Sequence, residues 1–505
     1  MSTVITPDLA MNPSVPIQDT IVSQQLDLVP KALVAPIYKT RRLTQVSGGT
    51  TLTLSTSTTE SRFNIPGDGV WNFARSYLQF DLNSPASGNF SSLHTDCCPI
   101  DSITLQTASG QILANLQNAQ AYTKTARCLC TDINDYKSRS AVFANTTVAT
   151  SLNTVNRYCQ PCNAPLSAQP VTLQFVANRP ISAHVIDTST AAAGVADAAT
   201  ASAVANAAAV AASPTAGSGS TDGQTAVQRI ATGSNNAVII MRNRIDLSAF
   251  AGTILAMDRD LFFGQNLQLV IYYTPIARFG FDAVVATTGA ATLGALTFTN
   301  YYLYAMQDIN QENVDSLKSQ VMSGGLSLLV PYTTSSTLTT AAAAGSYTMS
   351  SQLTPGMGIC LKRVLTVPIS APNTLKLAAN SFNVVGVKWS QVQSSLDSRP
   401  IQDYPLSLEN GDVFNHMYPM IKNTPAGISS RNFETNCFFV DNFSDCDDGS
   451  KFYENDLVES GLSVSIPKSY EVQFTVAYLA GLLICQYQTW CRKLIIQPSG
   501  ISWGN

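Results

Sequence analysis

Imidazole is the side chain best suited to move protons or hold a metal near neutral pH, and the 505 residues contain three: His94, His184 and His416. His416 falls in a segment predicted to be helical, where a packed or capping role is expected of it. The eleven cysteines are Cys97, Cys98, Cys128, Cys130, Cys159, Cys162, Cys360, Cys437, Cys446, Cys485 and Cys491. A structural zinc takes four ligands in two spaced pairs. Cys159-Gln160-Pro161-Cys162 supplies one C-x-x-C, and neither Cys97-Cys98 nor Cys128-Leu129-Cys130 supplies a second. The odd total reads as free, mostly buried thiols in a reducing compartment.

The densest charge cluster is Asp441-Asn442-Phe443-Ser444-Asp445-Cys446-Asp447-Asp448-Gly449. Oxygen-rich loops bind calcium, but a register counted from Gly449 puts Ser444 and Cys446 at ligand positions and Asn455 where the bidentate Glu belongs. A solvated loop is expected, with a cation held between subunits as the alternative. Paired carboxylates on a β-sandwich could hydrolyse glycosides, which requires a cleft with aromatic platforms; the four tryptophans, Trp71, Trp389, Trp490 and Trp503, do not outline one. H-E-x-x-H and P-loop motifs are absent from the sequence. No catalytic, cofactor-binding or metal-binding residue is assigned, no cofactor is expected, and the expectation is that the chain is not an enzyme.

Charged residues form 12% of the chain, with a net charge of −4 and 45% hydrophobic residues. So thin a charged surface fits either coverage by neighbouring subunits or strands whose polar faces carry Ser, Thr, Asn and Gln. Lys39-Thr40-Arg41-Arg42 is the densest basic spot, too small to neutralise many phosphates, so direct nucleic-acid binding is not expected. The longest apolar run, Val476 to Cys485, is well short of the roughly 18 residues that cross a bilayer. The first 25 residues show no basic segment followed by an apolar one, so the chain is expected to be made and assembled inside a cell.

A chain of this length predicts two domains. Residues 1–40, broken by Pro7, Pro13, Pro16, Pro30 and Pro36, read as an extended arm. Period-two alternation then begins, in Leu52 and Leu54 and in Leu78, Phe80 and Leu82. Ser102 to Leu113 reads as two strands turning at Ser109-Gly110, followed by a helix capped by Asn118 with Ala119, Tyr122, Ala126 and Leu129 on one face. Residues 190–236, rich in Ala, Gly and Ser, read as an exposed insertion. Pro275 and Gly280 suggest a boundary, giving a first sandwich at 41–285 and a second at 286–505.

The second half repeats the programme. Leu296, Phe298, Tyr302 and Tyr304 are expected to open it, followed by a helix capped by Asn310, carrying Val314, Leu317 and Val321 and stopped at Gly324. A hairpin at 387–406 again leads into a helix, with Val413, Phe414 and Met417 on one side. Leu462, Val464 and Ile466, then Val472, Phe474 and Val476, then Leu494 to Ile496 read as closing strands. The predicted fold class is all-β: two tandem eight-stranded jelly-roll sandwiches with short helices and a long inserted loop.

This order resembles the double jelly-roll major capsid proteins of DNA viruses, among them the adenovirus hexon and the coat proteins of virophages, polinton-like viruses and large algal viruses. The resemblance extends to Pro355-Gly356-Met357-Gly358-Ile359-Cys360-Leu361-Lys362-Arg363, to Trp389 to Asp403, to Phe439-Val440-Asp441-Asn442-Phe443 and to Leu494-Ile495-Ile496-Gln497-Pro498-Ser499-Gly500-Ile501. It implies a homotrimeric, pseudo-hexagonal capsomer of an icosahedral shell, found in the virion. Its implied partners are further copies of itself, neighbouring capsomers, and minor capsid and vertex (penton) proteins; contact with an internal membrane is left open. Two alternatives stand beside it: a small-virus coat protein with one shell jelly roll plus a protruding domain, and an extracellular carbohydrate-binding or hydrolysing β-sandwich.

Overall fold

The computed structural model describes residues 35–54, 57–83, 88–90, 92–93, 100–130, 183–187, 230–232, 237–275, 280–281, 296–341, 343–370, 389–422, 438–452, 456–476 and 482–504. The arm before residue 35, most of the 190–236 insertion, His94, Cys97, Cys98, Cys159, Cys162 and Cys437 lie outside these residues.

Strands β1 (Tyr38–Leu43), β2 (Leu52–Leu54), β3 (Thr59–Ile65), β4 (Val70–Asn83), β5 (Ile100–Thr107) and β6 (Ile112–Gln117) lead into helix α1 (Ala119–Cys130). After it come β7 (Ala237–Asp246), β8 (Leu267–Tyr273) and β9 (Leu296–Asp308). One antiparallel sheet runs β1-β9-β4-β7, with β2 also paired to β9; the other runs β3-β8-β5-β6. Alternation decides which side chains enter the space between them, because successive strand residues point to opposite faces. Phe63, Phe80, Tyr273, Phe298 and Tyr301 meet there, with Phe80 stacked on Phe298 at 4.0 Å and Phe63 edge-on to Tyr301 at 5.3 Å. Each such pair adds about 0.5–1.5 kcal/mol beyond its area. The two buried phenols satisfy each other, Tyr273 Oη lying 2.6 Å from Tyr301 Oη, and Tyr301 also donates to Ser61 Oγ.

Helix α2 (Gln311–Ser323) starts where predicted, Asn310 accepting from the Glu312 amide, and buries Val314, Leu317 and Val321 before Gly324. The second half then runs β10 (Leu326–Thr339), β11 (Gly345–Leu353), β12 (Cys360–Ser370), β13 (Trp389–Leu396), β14 (Arg399–Pro400), β15 (Leu406–Ser407), α3 (Asp412–Ile421), β16 (Phe439–Asn442), β17 (Lys468–Val476), β18 (Leu482–Gln497) and β19 (Gly500–Gly504). Its sheets run β10-β18-β12-β16 and β11-β17-β13-β14. The strand order matches that of the first half position for position, and in each half the helix follows the hairpin at the edge of the second sheet. Both hairpins turn on left-handed residues: Gly110 at φ 88°, and the pair Asp397 and Ser398 at 50° and 62°. Two successive positive φ values make the type I′ turn that matches strand twist. The fold is a double jelly roll.

Four expectations are corrected by the pairing. Tyr38 to Thr40, assigned to the arm, already pair with Asp308 to Met306, so the first sheet begins inside it. The strand carrying Leu296, Phe298, Tyr302 and Tyr304, expected to open the second sandwich at 286, lies between β1 and β4 in the first sheet. Alternation fixes a strand's buried face but not its partner, so Pro275 and Gly280 looked like a boundary while the strand closing the first sandwich lay beyond them. Leu462 and Ser463 form only a two-residue strand against β12, and Ile466 is 63% exposed. The return arm of the second hairpin is two short bridges, β14 and β15, because ladder pairing with β13 lapses over residues 402–405 between them.

Candidate functional site

The histidine and the acidic loop singled out in the sequence do come together. His416 of α3 stacks on Phe439 at 5.3 Å, and its Nε2 lies 3.3 Å from the Val440 carbonyl oxygen and 3.8 Å from Asp441 Oδ1. Asp441 is buried and accepts hydrogen bonds from Tyr470 (2.5 Å) and Gln402 (3.1 Å). Burial and then the Asp441 charge hold the Tyr470 hydroxyl well above its ordinary pKa. In the rest of the loop the Asn442 amide donates to the Cys446 carbonyl at 2.6 Å, and Ser444 Oγ donates to Asn442 Oδ1 at 2.8 Å. A donor nitrogen thus takes a carbonyl oxygen a cation would use. Among the described residues no three His, Cys, Asp or Glu side chains converge as metal ligands. For His184 the backbone of its strand is described and nothing of its side chain, and the same holds for Cys128 and Cys130 in α1.

Sequence reasoning missed a polar cluster assembled from distant segments. Asn72 of β4 donates to Asp258 Oδ1 (3.0 Å), Asp260 Oδ1 (3.2 Å) and the Tyr38 hydroxyl oxygen (3.2 Å), while Tyr38 donates to Asp260 at 2.9 Å. Arg75 grips Asp258 through Nε (2.8 Å) and a terminal nitrogen (3.1 Å). Burial raises the Asp260 carboxyl, and the nearby Asp308 charge adds to this; Asp258, against its own burial, is held low by Arg75 and Asn72. Burial and Asp260 push the Tyr38 hydroxyl up, out of the range of a base. Asp308 accepts from the Ile37 and Asn310 amides and from Asn313 Nδ2. The cluster therefore anchors β1 and the start of α2. Its only sequence signal was the doublet Asp258-Arg259-Asp260 in an apolar stretch.

A shallow depression of about 530 Å³ is lined by Gly67, Asp68, Phe262, Gln265, Lys318 and Met322, among others. Asp68 and Lys318 are its charged groups; it presents no carboxylate pair for glycoside chemistry.

The most extensive arrangement is the seam between the two sandwiches. Residues 482–491 of β18 are buried without interruption, because one face enters the second sandwich and the other meets the first. Tyr487 donates to the Asn118 carbonyl at 2.8 Å and packs edge-on against Tyr122 of α1 at 4.9 Å. Asn118 sits at φ 50°, and the same carbonyl accepts the first helical amides, those of Ala121 and Tyr122. Thr333 donates to the Gly252 carbonyl at 2.7 Å and lies 3.1 Å from Thr489 Oγ1. Trp503 donates to the Ile112 carbonyl at 3.2 Å, and Arg492 lies against both Trp503 (4.4 Å) and Tyr332 (4.9 Å), two rings that themselves meet edge-on at 5.4 Å. The equivalent helices α1 and α3 meet at Gly449, where a Cβ would collide with the carbonyls of Leu129 and Met420.

Four strands of the first sheet also carry a row of rings and cations on their outer face. Arg42 lies over Tyr302 (4.5 Å), Tyr302 meets Tyr304 edge-on (6.2 Å), Tyr304 stacks on Tyr77 (5.0 Å), and Arg244 caps Tyr77 (3.8 Å). Tyr and Arg are the residues that dominate protein interfaces.

No protein-family model matches the sequence, and no curated protein matches it. Among solved structures, the chain is similar to one in the 3.5 Å cryo-EM structure of the Sputnik virophage (10% identity, 94% of this chain and 89% of that one, TM-score 0.52). It is also similar to the mavirus major capsid protein (11%, 94% and 92%, 0.51). A third match is PBCV-1 VP54, fitted into a reconstruction of Sputnik (9%, 94% and 98%, 0.51). The shared feature is the fold, which extends across both sandwiches.

Proposed function

We propose that this chain is a structural subunit of an icosahedral viral capsid, present in the virion as a pseudo-hexagonal homotrimer and performing no catalysis. The carrying observation is the union of two jelly rolls of identical strand order across a hydrogen-bonded seam, in the fold also found in the mavirus major capsid protein. Two equivalent sandwiches held rigidly give one subunit two similar walls, and three subunits then give six. Three closed, identical interfaces build the capsomer, and weaker contacts between capsomers complete the shell. The first sandwich ends with β9 and the second begins with β10, with α2 as the link. Neighbouring capsomers, minor capsid proteins and vertex proteins are the expected partners; nucleic acid is not one.

A coat protein with one shell sandwich and a protruding domain would need a differently built second half, whereas the two halves share one strand order. Light scattering of the purified protein is expected to give the mass of three chains, and electron microscopy a particle of hexagonal outline. A stable monomer at micromolar concentration overturns the proposal.

A further inference from the structure

Cys360 is the first residue of β12, and Cys491 stands directly opposite it on β18 in antiparallel register. Opposed residues of such a pair project to the same face with Cα atoms about 4.5 or 5.5 Å apart, both within the roughly 4.4–6.8 Å that a disulfide spans. Both thiols are free and buried, 4% and 0% exposed. Cys360 also donates to the Ser460 carbonyl at 3.3 Å. Beside them Lys362, itself buried, binds the Val458 carbonyl and lies 3.4 Å from Ser460 Oγ, which places an ammonium group near the two sulfurs. The other buried cysteine described, Cys485, stands opposite Val367 and Thr337 instead.

We propose that Cys360 and Cys491 are an intrachain redox site that closes to a cross-strand disulfide when the protein meets a small-molecule disulfide of the glutathione type. The Cys360 thiolate attacks one sulfur of the small disulfide, forming a mixed disulfide and expelling one small thiolate. Cys491, losing its proton, then attacks the Cys360 sulfur and expels the second. The two protein thiols lose two electrons, the small disulfide gains them, and the two thiol protons end on the two released small thiols. The order follows from the surroundings: the adjacent Cys491, with help from Lys362 against burial, lowers the Cys360 thiol, while Cys491 is pushed up. A thiolate near neutrality is the competent nucleophile. Gly461 roofs the site, since a Cβ there would lie 3.4 Å from Cys360 Cβ. Reaction therefore waits on lifting the 456–461 segment, and the closed bond fixes β12 to the strand that carries the seam.

The folded full-length chain is incubated with oxidised glutathione, quenched with an alkylating agent, digested and mapped by mass spectrometry. The expected product is a Cys360 peptide joined to a Cys491 peptide in most molecules, with two hydrogens lost from the intact mass for that bond. C491S is expected to stop at a glutathione adduct on Cys360, and C360S to leave Cys491 unmodified. The mapping needs only the natural sequence, so a variant that misfolds does not decide the matter. Both thiols remaining alkylatable in a chain of native circular dichroism overturns the proposal. So does a persistent adduct on Cys360 of the natural chain, or its linkage to any other cysteine.

Discussion

Gly252→Ala strikes the seam where Gly252 of the first sandwich packs against Thr333 and Thr489 of the second. Gly252 sits at φ 70°, and an added Cβ would lie 2.7 Å from Tyr122 Oη, 2.8 Å from Thr333 Oγ1 and 3.2 Å from Thr489 Cγ2. The left-handed conformation costs an L-residue about 1–2 kcal/mol. The two hydroxyls must also withdraw, which loosens the Tyr122 bond to the Ala251 carbonyl and the Thr333 bond to the Gly252 carbonyl. At about 1 kcal/mol for each hydrogen bond, the total destabilisation is about 3–4 kcal/mol. Gly110→Ala is the matched control: its φ of 88° imposes the same conformational cost, but no atom lies within 4 Å of the added Cβ. It is expected to lose only about 1–2 kcal/mol. Guanidinium unfolding followed by circular dichroism measures both, and the difference of about 2 kcal/mol isolates the seam. Equal losses in the two variants would refute a tightly packed seam, and with it the rigid pairing of walls on which the capsomer proposal depends.

Arg363→Met leaves Asp456 buried without its bidentate partner, from side chains 5% and 2% exposed, and is expected to cost about 3–5 kcal/mol in the same assay. Adding Asp456→Leu is expected to recover most of that loss, since it removes the stranded charge. Asp258 and Asp260 should respond to pH with opposite sign. The depressed Asp258 carboxyl contributes stability above the unfolded value of about 3.9 that is lost as pH falls through its lower folded value, so Asp258→Asn flattens that acid limb. The raised Asp260 carboxyl costs stability while ionised, so Asp260→Asn stabilises at pH 7, and its margin shrinks as pH falls from the raised folded value towards about 3.9. Both effects are expected within about 1 kcal/mol because the groups are partly exposed, and unfolding curves between pH 3 and 7 check their signs.

The sequence carried the local information in full where one face of an element decides its pattern. Ala119, Tyr122, Ala126 and Leu129 of α1, and Val314, Leu317 and Val321 of α2, are all buried, and the Ser109-Gly110 turn forms as read. The candidate clusters were less legible, because their members lie far apart in the chain: Asn72 reaches Asp258 and Asp260 across more than 180 residues, and Arg363 reaches Asp456 across 93. A carboxylate that is half of a buried pair looks no different in sequence from a solvated one.

By itself, then, the sequence determined that the chain is built of alternating strands, that each half sends a hairpin into a helix, and which faces of those elements are apolar. Partners were decided only by the tertiary structure: β9 in the first sheet rather than the second, β18 buried on both faces, Cys360 opposite Cys491. The physical reason is that side-chain periodicity encodes whether a face is buried, whereas strand pairing is made by backbone amides and carbonyls that every residue type other than proline supplies alike.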